Sequence, residues 1–208
     1  MEAQTLEKPQ LKTTSERILD AAEQLFAAAG YSATSLADVA DVVGIRTPSL
    51  YNHFRNKEAL YGAVLDRLIV SFSAPLRELD RKELTQEQVF EWLEKYVRQH
   101  HANPNLARLL QHAALSGGPH TEELIDRLFR PMFNSPQLIE GGGVPLLGDA
   151  GLQPWAVMAL NNLVMSYLTM APMYRDVLKQ DPLGEPALEN QLTLIKTLLR
   201  AVFEYRGD

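Results

Sequence analysis

Residues 44–57 read GIRTPSLYNHFRNK, and the proline at position 48 decides what kind of element this stretch forms. Inside a helix a proline removes a backbone donor and clashes with the preceding turn, at a cost of about 3 kcal/mol. At the first helical position it is favourable, because the N–H there has no intrahelical partner and φ is already helical. Thr47 is a good N-cap residue, and Leu50 and Phe54 follow at helical spacing. The stretch therefore predicts a short helix that begins at Pro48.

Two further helices are predicted ahead of this one. The first covers the segment TTSERILDAAEQLFAAAG, in which Thr13 and Glu16 match a capping box and Gly30 is a stop signal. The second follows the N-cap residue Ser35 and ends at Gly44. Two short helices joined by a turn that contains glycine, with a longer helix able to pack across them, describe a helix-turn-helix unit. The residues predicted to face its core are Ile18, Leu19, Ala22, Leu25, Phe26, Ala29, Leu36, Val39, Ala40 and Val43.

The rest of the chain is helical in pattern, with scarce strand-like alternation and no fixed repeat. Breaks at proline and glycine clusters separate the helical segments. The sequence therefore predicts an all-α fold. The helices predicted after the helix-turn-helix unit cover residues 57–79, 86–102, 104–115, 121–134, 154–178 and 186–206.

The last two helices carry more apolar surface than one chain needs. On the last helix one apolar stripe includes Leu188, Leu192, Ile195 and Leu199, and a second stripe lies beside it. Together they cover roughly 200° of the helix, whereas a surface helix of a monomer needs about 100°. A symmetric four-helix bundle between two subunits would bury both surplus faces, and a thick core within one chain is the alternative. The residues predicted to form the dimer interface are Leu194, Leu198, Ala201 and Tyr205.

Charge is distributed unevenly along the chain. The formal net charge is −6, which taken alone argues against a nucleic-acid partner. Between Gly44 and Lys57, however, Arg46, Arg55 and Lys57 are basic and no residue is acidic. Phosphate binding requires a local basic surface of this kind, so the average charge does not exclude DNA.

The composition limits where the protein acts. The 208 residues contain no cysteine, which excludes disulfides, thiolate zinc sites and a cysteine nucleophile and fits a cytoplasmic location. The N-terminus is polar, so we expect a flexible arm over residues 1–12 and no signal peptide. Residues 154–174 carry no charge and are about as long as a membrane span, but Asn161, Asn162 and Pro172 favour a helix buried in protein. We therefore predict no membrane contact.

The segment VADVVGIRTPSLYNHFRNKEAL, residues 39–60, resembles the helix-turn-helix signature of the tetracycline-repressor (TetR) family of bacterial transcriptional regulators. The resemblance in motif covers residues 14–61. It implies a DNA-binding domain over residues 13–56 and an all-helical domain over residues 57–208 that binds an effector and dimerises through its last two helices. The residues that carry the resemblance are Ala40, Gly44, Leu50, Tyr51, His53, Phe54, Lys57 and Leu60.

The resemblance also implies roles in DNA binding. Base edges would be read by the start of the third helix, and Ala37 stands where some members carry a base-reading arginine, which shifts readout away from the second helix. The chemistry agrees, since Arg46 can pair bidentately with guanine and Asn52 with adenine. Phe54 is expected in the core, and the hydroxyl of Tyr51 favours a phosphate contact over packing alone. The predicted base contacts are Arg46, Thr47, Pro48, Ser49 and Asn52, and the predicted phosphate contacts are Ser35, Tyr51, His53 and Lys57.

An effector pocket in the second domain is expected to be mostly apolar with a few polar groups. Each candidate has ordinary core packing as its alternative, because methionine and aromatic residues at helical spacing are usual core material. Asn162 is the strongest candidate, since an amide on an otherwise buried helix needs a partner, with the dimer interface as the competing location. The candidate lining residues are Trp92, Tyr96, His100, His112, Met132, Met158, Asn162, Met165 and Ser166.

Metal and enzyme sites are not predicted. His100 and His101 are adjacent on a helix and point about 100° apart, so they cannot easily share one ion with His112 or His120. The chain has no H-E-x-x-H motif, no G-x-S-x-G elbow and no phosphate-binding loop. The glycines at 141–143 are interpreted as a linker. We therefore expect no metal, no cofactor and no enzymatic activity.

These observations predict a homodimeric repressor that binds palindromic operator DNA and is released by a small, largely apolar ligand. The alternative is a TetR-like DNA-binding protein that senses no small molecule and acts through a protein partner. An enclosed cavity in the second domain would favour the sensor, and a filled core would favour the alternative.

Overall fold

The computed structural model describes residues 12–78, 85–131 and 153–204 of the chain. Within these ranges the secondary structure is helical and contains no strand, which confirms the all-α fold class. The predicted N-terminal arm lies outside the described residues except for Lys12, and so do Met132, Tyr205 and the glycines at 141–143. The helices are α1 (Thr14–Ala33), α2 (Leu36–Val43), α3 (Thr47–Tyr51), α4 (Lys57–Glu78), α5 (Gln86–Ala102), α6 (Asn105–Ser116), α7 (Thr121–Leu124), α8 (Gln153–Leu178) and α9 (Glu185–Glu204).

Most predicted helix boundaries agree with the structure to within two residues. The exception is the helix predicted over 121–134, which is α-helical over Thr121–Leu124, continues as a π-helical turn over Ile125–Phe129 and is α-helical again at residues 130–131. Hydrophobic spacing cannot distinguish these two forms, because both present residues three to five positions apart on one side. Gly30 was also predicted as a helix end, and with φ at 79° it does interrupt the α-helix, although helical structure resumes through Ala33.

The chain forms two compact units that divide between Val64 and Leu65, inside α4. In the first unit α1 contacts α2 and α2 contacts α3. Its core includes Ile18, Ala22 and Phe26 from α1 and the four predicted inward residues of α2. Ala29 was predicted to face this core, but it is exposed because the helix is interrupted at the next residue.

In the second unit α5 lies against both α8 and α9, and α6 contacts α8. The core residues of α5 are Trp92, Leu93, Tyr96 and Val97. The first stripe of α9 is buried there, as its spacing predicted. The residues of α8 and α9 in this core are Val157, Val164, Leu168, Leu188, Leu192, Ile195 and Leu199.

Large apolar side chains remain exposed on α8 and α9. Trp155 on α8 is 65% exposed, and Leu194 and Leu198 in the second stripe of α9 are 56% and 44% exposed. The single chain therefore leaves apolar side chains of α8 and α9 uncovered, and their burial by a second subunit stays a prediction. Among the described residues, no helix has the length and hydropathy needed to cross a membrane.

Candidate nucleic-acid interface

Helix α3 starts one residue earlier than its sequence suggests. Arg46 is the N-cap residue, with an extended backbone and no side-chain cap hydrogen bond, and Thr47 is the first helical residue. The backbone N–H of Ser49 donates to the carbonyl oxygen of Arg46 over 2.8 Å, which closes the first turn. The predicted N-cap role of Thr47 is therefore wrong, and Pro48 occupies the second helical position. Proline is tolerated there for the same reason as at the first, since the N–H groups of the opening turn have no intrahelical acceptor.

The turn between α2 and α3 is fixed by backbone geometry. Gly44 ends α2 in the left-handed conformation with φ at 75°, and its N–H donates to Asp41 while the N–H of Ile45 donates to Ala40 over 3.0 Å. A residue with a Cβ atom is strained at this φ, whatever space surrounds it. This closure determines the direction in which the chain leaves α2 and enters α3.

One buried side chain anchors α3, and the rest of its surface is open. Leu50 is completely buried, and the N–H groups of His53 and Phe54 both donate to its carbonyl oxygen, over 2.9 and 3.0 Å. Tyr51, by contrast, is 54% exposed. Most of the predicted base and phosphate contacts of α3 are thus accessible, and residues 44–57 contain no acidic side chain. Arg46, Pro48, Ser49, Asn52 and His53 are exposed, and Thr47 is half-buried.

Ser35 is used as a helix cap. Its hydroxyl accepts from the backbone N–H of Asp38 over 3.1 Å, and its own backbone N–H donates to the Asp38 carboxylate over 2.8 Å, which completes a capping box. The hydroxyl also donates to this carboxylate over 2.7 Å. These hydrogen bonds from the Ser35 hydroxyl and backbone N–H hold the pKa of the Asp38 carboxyl below its usual value. A phosphate contact through the Ser35 hydroxyl requires its proton to turn away from Asp38, so that contact stays a prediction.

Lys57 is held by residues that the sequence reasoning did not single out. Its ammonium donates to the carbonyl oxygen of Ser32 over 3.3 Å and lies 4.3 Å from the centre of the Tyr31 ring. Tyr31 in turn packs on Tyr61, which makes an edge contact with Phe26 at 5.0 Å. This aromatic cluster fixes the lysine at the start of α4. An aromatic residue directly after the helix-interrupting Gly30 is the one sequence signal for it.

An exposed short helix with donors in its first turn, aligned by a second helix and followed by a positioned lysine, has the features of a recognition helix. Residues 18–64 match the family described as bacterial regulatory proteins, tetR family. The N-terminal domain belongs to the tetR family. The match begins in α1 and ends in α4, so it includes every predicted DNA contact.

The chain is also similar to a transcriptional repressor in sequence and to two solved structures in fold. The HTH-type transcriptional repressor ComR of Escherichia coli (strain K12) is 54% identical over 56 residues, 27% of this chain and 27% of ComR. The fatty acid degradation regulator FadR from Bacillus halodurans has a TM-score of 0.62 at 20% identity, with 95% of this chain and 100% of that chain covered. A TetR-like regulator from Rhodococcus sp. RHA1 has a TM-score of 0.65 at 19% identity, covering 94% and 100%. The structural likeness shows that the fold is shared along nearly the whole chain.

The second unit contains a cavity of about 30 Å³. Three polar residues, Tyr96, His100 and Asn161, contribute to its wall. The hydroxyl of Tyr96 donates to Oδ1 of Asn161 over 3.0 Å, and burial raises the pKa of Tyr96 far above its usual value. The apolar lining residues are Phe72, Leu106, Leu110, Leu128, Phe129 and Met165.

The sequence predicted part of this lining. Tyr96, His100 and Met165 lie on the cavity, whereas the amide there belongs to Asn161 and not to the predicted Asn162. Adjacent helix residues point about 100° apart, so this one-residue difference moves the amide to another face. Trp92 stacks on Tyr96 at 5.3 Å in the neighbouring core. The remaining predicted residues are not on this cavity: Met158, Asn162 and Ser166 are exposed, His112 is half-buried, and Met132 lies outside the described residues.

The two adjacent histidines of α5 have different partners. Nδ1 of His100 bonds the carbonyl oxygen of Tyr96 over 2.9 Å, whereas Nε2 of His101 bonds Oε1 of Gln191 over 2.5 Å. Desolvation lowers the pKa of His100 to about 4. Among the described residues, no group of three histidine, aspartate or glutamate side chains is arranged to hold a metal ion.

Proposed function

We propose that the protein is a homodimeric transcriptional repressor that binds palindromic operator DNA in the bacterial cytoplasm and is released by a small, largely apolar ligand. In this proposal residues 13–56 bind DNA, and residues 57–208 bind the effector and dimerise. The observation that carries it is the exposed, acid-free surface of α3, set on the buried Leu50 in a domain of the tetR family.

The division of labour on this surface follows from donor chemistry. Arg46, Thr47, Ser49 and Asn52 are proposed to read base edges, because a guanidinium, hydroxyls and an amide provide the donors and acceptors that distinguish bases. Pro48 fixes the start of the helix between them. Tyr51, His53 and Lys57, together with Ser35, are proposed to bind phosphates, which position the protein without reading sequence.

Dimerisation is supported by the apolar side chains that one chain leaves exposed. Leu194, Leu198 and Ala201 lie along the exposed side of α9, and Trp155 and Met158 are exposed on α8. Apolar patches of this kind mark interaction surfaces, and a two-fold axis would bury the same patch of both subunits at once. Two recognition helices held about 34–36 Å apart would then reach successive major grooves of one operator.

Release by a ligand is supported by the path of α4. This single helix begins at Lys57, a proposed phosphate contact, and its Phe72 lines the cavity. A ligand that binds better to a conformation in which α4 has shifted would lower DNA affinity by that difference in binding free energy.

The alternative, a DNA-binding protein that acts through a protein partner, is favoured by the small size of the cavity. Ligand pockets usually measure about 300–1,000 Å³, roughly ten times or more the 30 Å³ found here. The sensor function therefore requires that the walls move when a ligand binds.

Selection of bound genomic fragments by the purified full-length protein tests the DNA-binding proposal. We expect enrichment of fragments that share a palindrome, together with twice the chain mass in light scattering. Enriched fragments without two-fold symmetry would contradict the palindromic operator, and a failure to enrich any fragment would contradict operator binding itself. Selection repeated with a bacterial small-molecule extract separates the sensor from the alternative, since only the sensor loses fragments.

A further inference from the structure

The cavity of the second unit has an apolar wall and one buried polar atom that is left unpaired. His100 is 1% exposed, and its Nε2 has no hydrogen-bond partner among the described residues. We propose that this cavity binds an uncharged, largely apolar small molecule whose hydroxyl or N–H group donates a hydrogen bond to Nε2 of His100. This inference rests on the proposed ligand sensing and specifies the class of ligand.

The role of Nε2 follows from the bond on the opposite side of the ring. Nδ1 of His100 lies 2.9 Å from the carbonyl oxygen of Tyr96, and a carbonyl oxygen can only accept, so Nδ1 carries the proton. In a neutral imidazole the other nitrogen is then an acceptor. The ligand atom opposite Nε2 must therefore be a donor. Leaving a buried acceptor unpaired is unfavourable, which gives a donor-bearing ligand an advantage over a purely apolar one.

The ligand is uncharged because the wall offers no counter-charge. None of the described residues that line the cavity is lysine, arginine, aspartate or glutamate. Burial holds the pKa of His100 at about 4, so the ring is neutral near pH 7 and cannot pair with a carboxylate. Transfer of an unpaired carboxylate or ammonium into such a site is strongly unfavourable.

The hydrogen-bonded pair Tyr96 and Asn161, which lies beside His100, would help to orient a bound ligand. The hydroxyl of Tyr96 donates to Oδ1 of Asn161 over 3.0 Å, which ties α5 to α8 and fixes the amide. The Tyr96 and His100 rings lie 4.3 Å apart, so these two side chains are neighbours in the wall. The Phe72 ring makes an edge contact with His100 at 4.4 Å and provides the facing apolar surface.

The walls that must move to admit a ligand are adaptable. Phe129, which is half-buried, ends the π-helical turn that follows α7, and such turns are common at functional sites. Met165 on α8 is flexible and fills irregular space. The competing account is that the 30 Å³ space holds only water, which would satisfy Nε2 itself.

Three probes of similar shape distinguish these accounts: 4-ethylphenol, 4-ethyltoluene and 4-ethylbenzoate. Binding to the DNA-free protein is measured by calorimetry. We expect 4-ethylphenol to bind about three- to tenfold more tightly than 4-ethyltoluene, and 4-ethylbenzoate to bind most weakly. The hydrogen bond to Nε2 must outweigh an opposing effect, because 4-ethylphenol loses more hydration than 4-ethyltoluene on entering an apolar site.

The variant His100→Phe removes the acceptor, and we expect it to abolish the preference for the phenol. His112→Phe is the matched control, because His112 is half-buried on α6 and does not line the cavity, so the preference should remain. Imidazole nitrogen NMR of the wild type gives a readout that needs no variant. The Nε2 resonance of His100 should move with 4-ethylphenol and stay in place with 4-ethyltoluene.

Four outcomes would overturn the proposal: equal or tighter binding of the toluene, tighter binding of the benzoate, a preference that survives His100→Phe, or no binding of any probe at its solubility limit. The last is also the result expected if the space holds only water. None of these measurements involves DNA, so their failure leaves the result of fragment selection unaffected. Conversely, probe binding without fragment enrichment would remove the proposed repressor function and leave the cavity assignment intact.

Discussion

The two units of this protein present opposite kinds of binding surface. In the first unit, α3 and its N-cap residue Arg46 expose polar and basic side chains around a single buried anchor, Leu50. In the second unit, Tyr96, His100 and Asn161 line a small cavity whose other described wall residues are apolar. The α3 surface can contact a partner without rearrangement. The cavity is too small for a typical ligand and admits one only when its walls separate.

The difference shows how local and long-range contacts build sites. The first surface depends on hydrogen bonds between residues three or four positions apart, such as the Ser35–Asp38 capping box and the turn at Gly44. The cavity depends on four helices in register, and its Tyr96–Asn161 hydrogen bond spans 65 positions. We expect local changes to alter the first surface independently, and changes in the second unit to act through packing.

The largest expected effect concerns the exposed stripe of α9. Leu198→Glu places a charge in the proposed interface, and burying an unpaired charge is costly enough to weaken dimerisation roughly a hundredfold or more. Light scattering should then report monomers. Thr193→Glu, on the exposed polar side of the same helix, is the matched control and should leave the mass unchanged. A dimeric Leu198→Glu protein would remove this stripe from the interface.

The next effect tests the anchor of α3. Leu50→Ala deletes a completely buried side chain, which destabilises the first unit by about 2–5 kcal/mol. Hydrogen exchange should accelerate in α1 to α3 and remain unchanged in α5, α8 and α9. Ser49→Ala changes an exposed neighbour and should shift stability by no more than about 0.5 kcal/mol. Equal acceleration in both units would contradict the independence of the two surfaces.

Local signals predicted most of the first unit. The Thr13–Glu16 capping box, the N-cap residue Ser35 and the glycine that ends α2 were all predicted from the sequence, and the structure confirms them. The start of α3 was placed one residue too late, because Thr47 resembles a cap whereas the actual cap, Arg46, makes no side-chain cap bond. Lys57 was recognised as basic, but its contact with Tyr31 depends on the packing of α4 against the end of α1.

The second unit was less predictable because its site depends on register between distant helices. Spacing correctly placed Leu188, Leu192, Ile195 and Leu199 in the core, since a regular helix repeats its faces. Periodicity alone did not select Asn161 over Asn162, because that choice depends on how α8 is rotated against Tyr96 of α5. The π-helical turn after α7 had no sequence signal either.

Two variants separate base reading from phosphate binding, the two functions proposed for the first surface. Arg46→Ala should cost about 1–3 kcal/mol on the preferred operator and little on other sequences, because it removes a base contact. Lys57→Ala should weaken binding to all sequences and lower by about one the number of counterions released on DNA binding, which makes the salt dependence less steep. Fluorescence anisotropy with selected and scrambled duplexes over a salt series measures both. Equal losses on both duplexes for Arg46→Ala would contradict its base-reading role.

The smallest expected effect is a pH dependence of stability that originates at His100. Its pKa is about 4 in the folded protein and about 6.5 when exposed, so the unfolded chain binds a proton that the folded chain does not. Stability is therefore complete above about pH 6.5 and falls as the pH decreases toward 4. Between pH 7 and pH 5.5 this histidine alone should remove about 1 kcal/mol from the free energy of unfolding.

The groups around His100 allow the pH dependence of stability to be attributed to this histidine. Tyr96, which contacts the ring, stays neutral throughout this pH range because burial raises its pKa, and the charge of His101 on the same helix lowers the pKa of His100 further. The described cavity residues of α4, α6, α8 and the π-helical turn do not titrate between pH 5.5 and 7. Denaturant unfolding of His100→Phe should therefore show a shallower pH dependence than the wild type, while His112→Phe retains the wild-type slope. An unchanged slope in His100→Phe would mean that the His100 ring of the wild type is charged or hydrated in the folded protein. That result would also contradict the proposed role of Nε2 as a hydrogen-bond acceptor for the ligand.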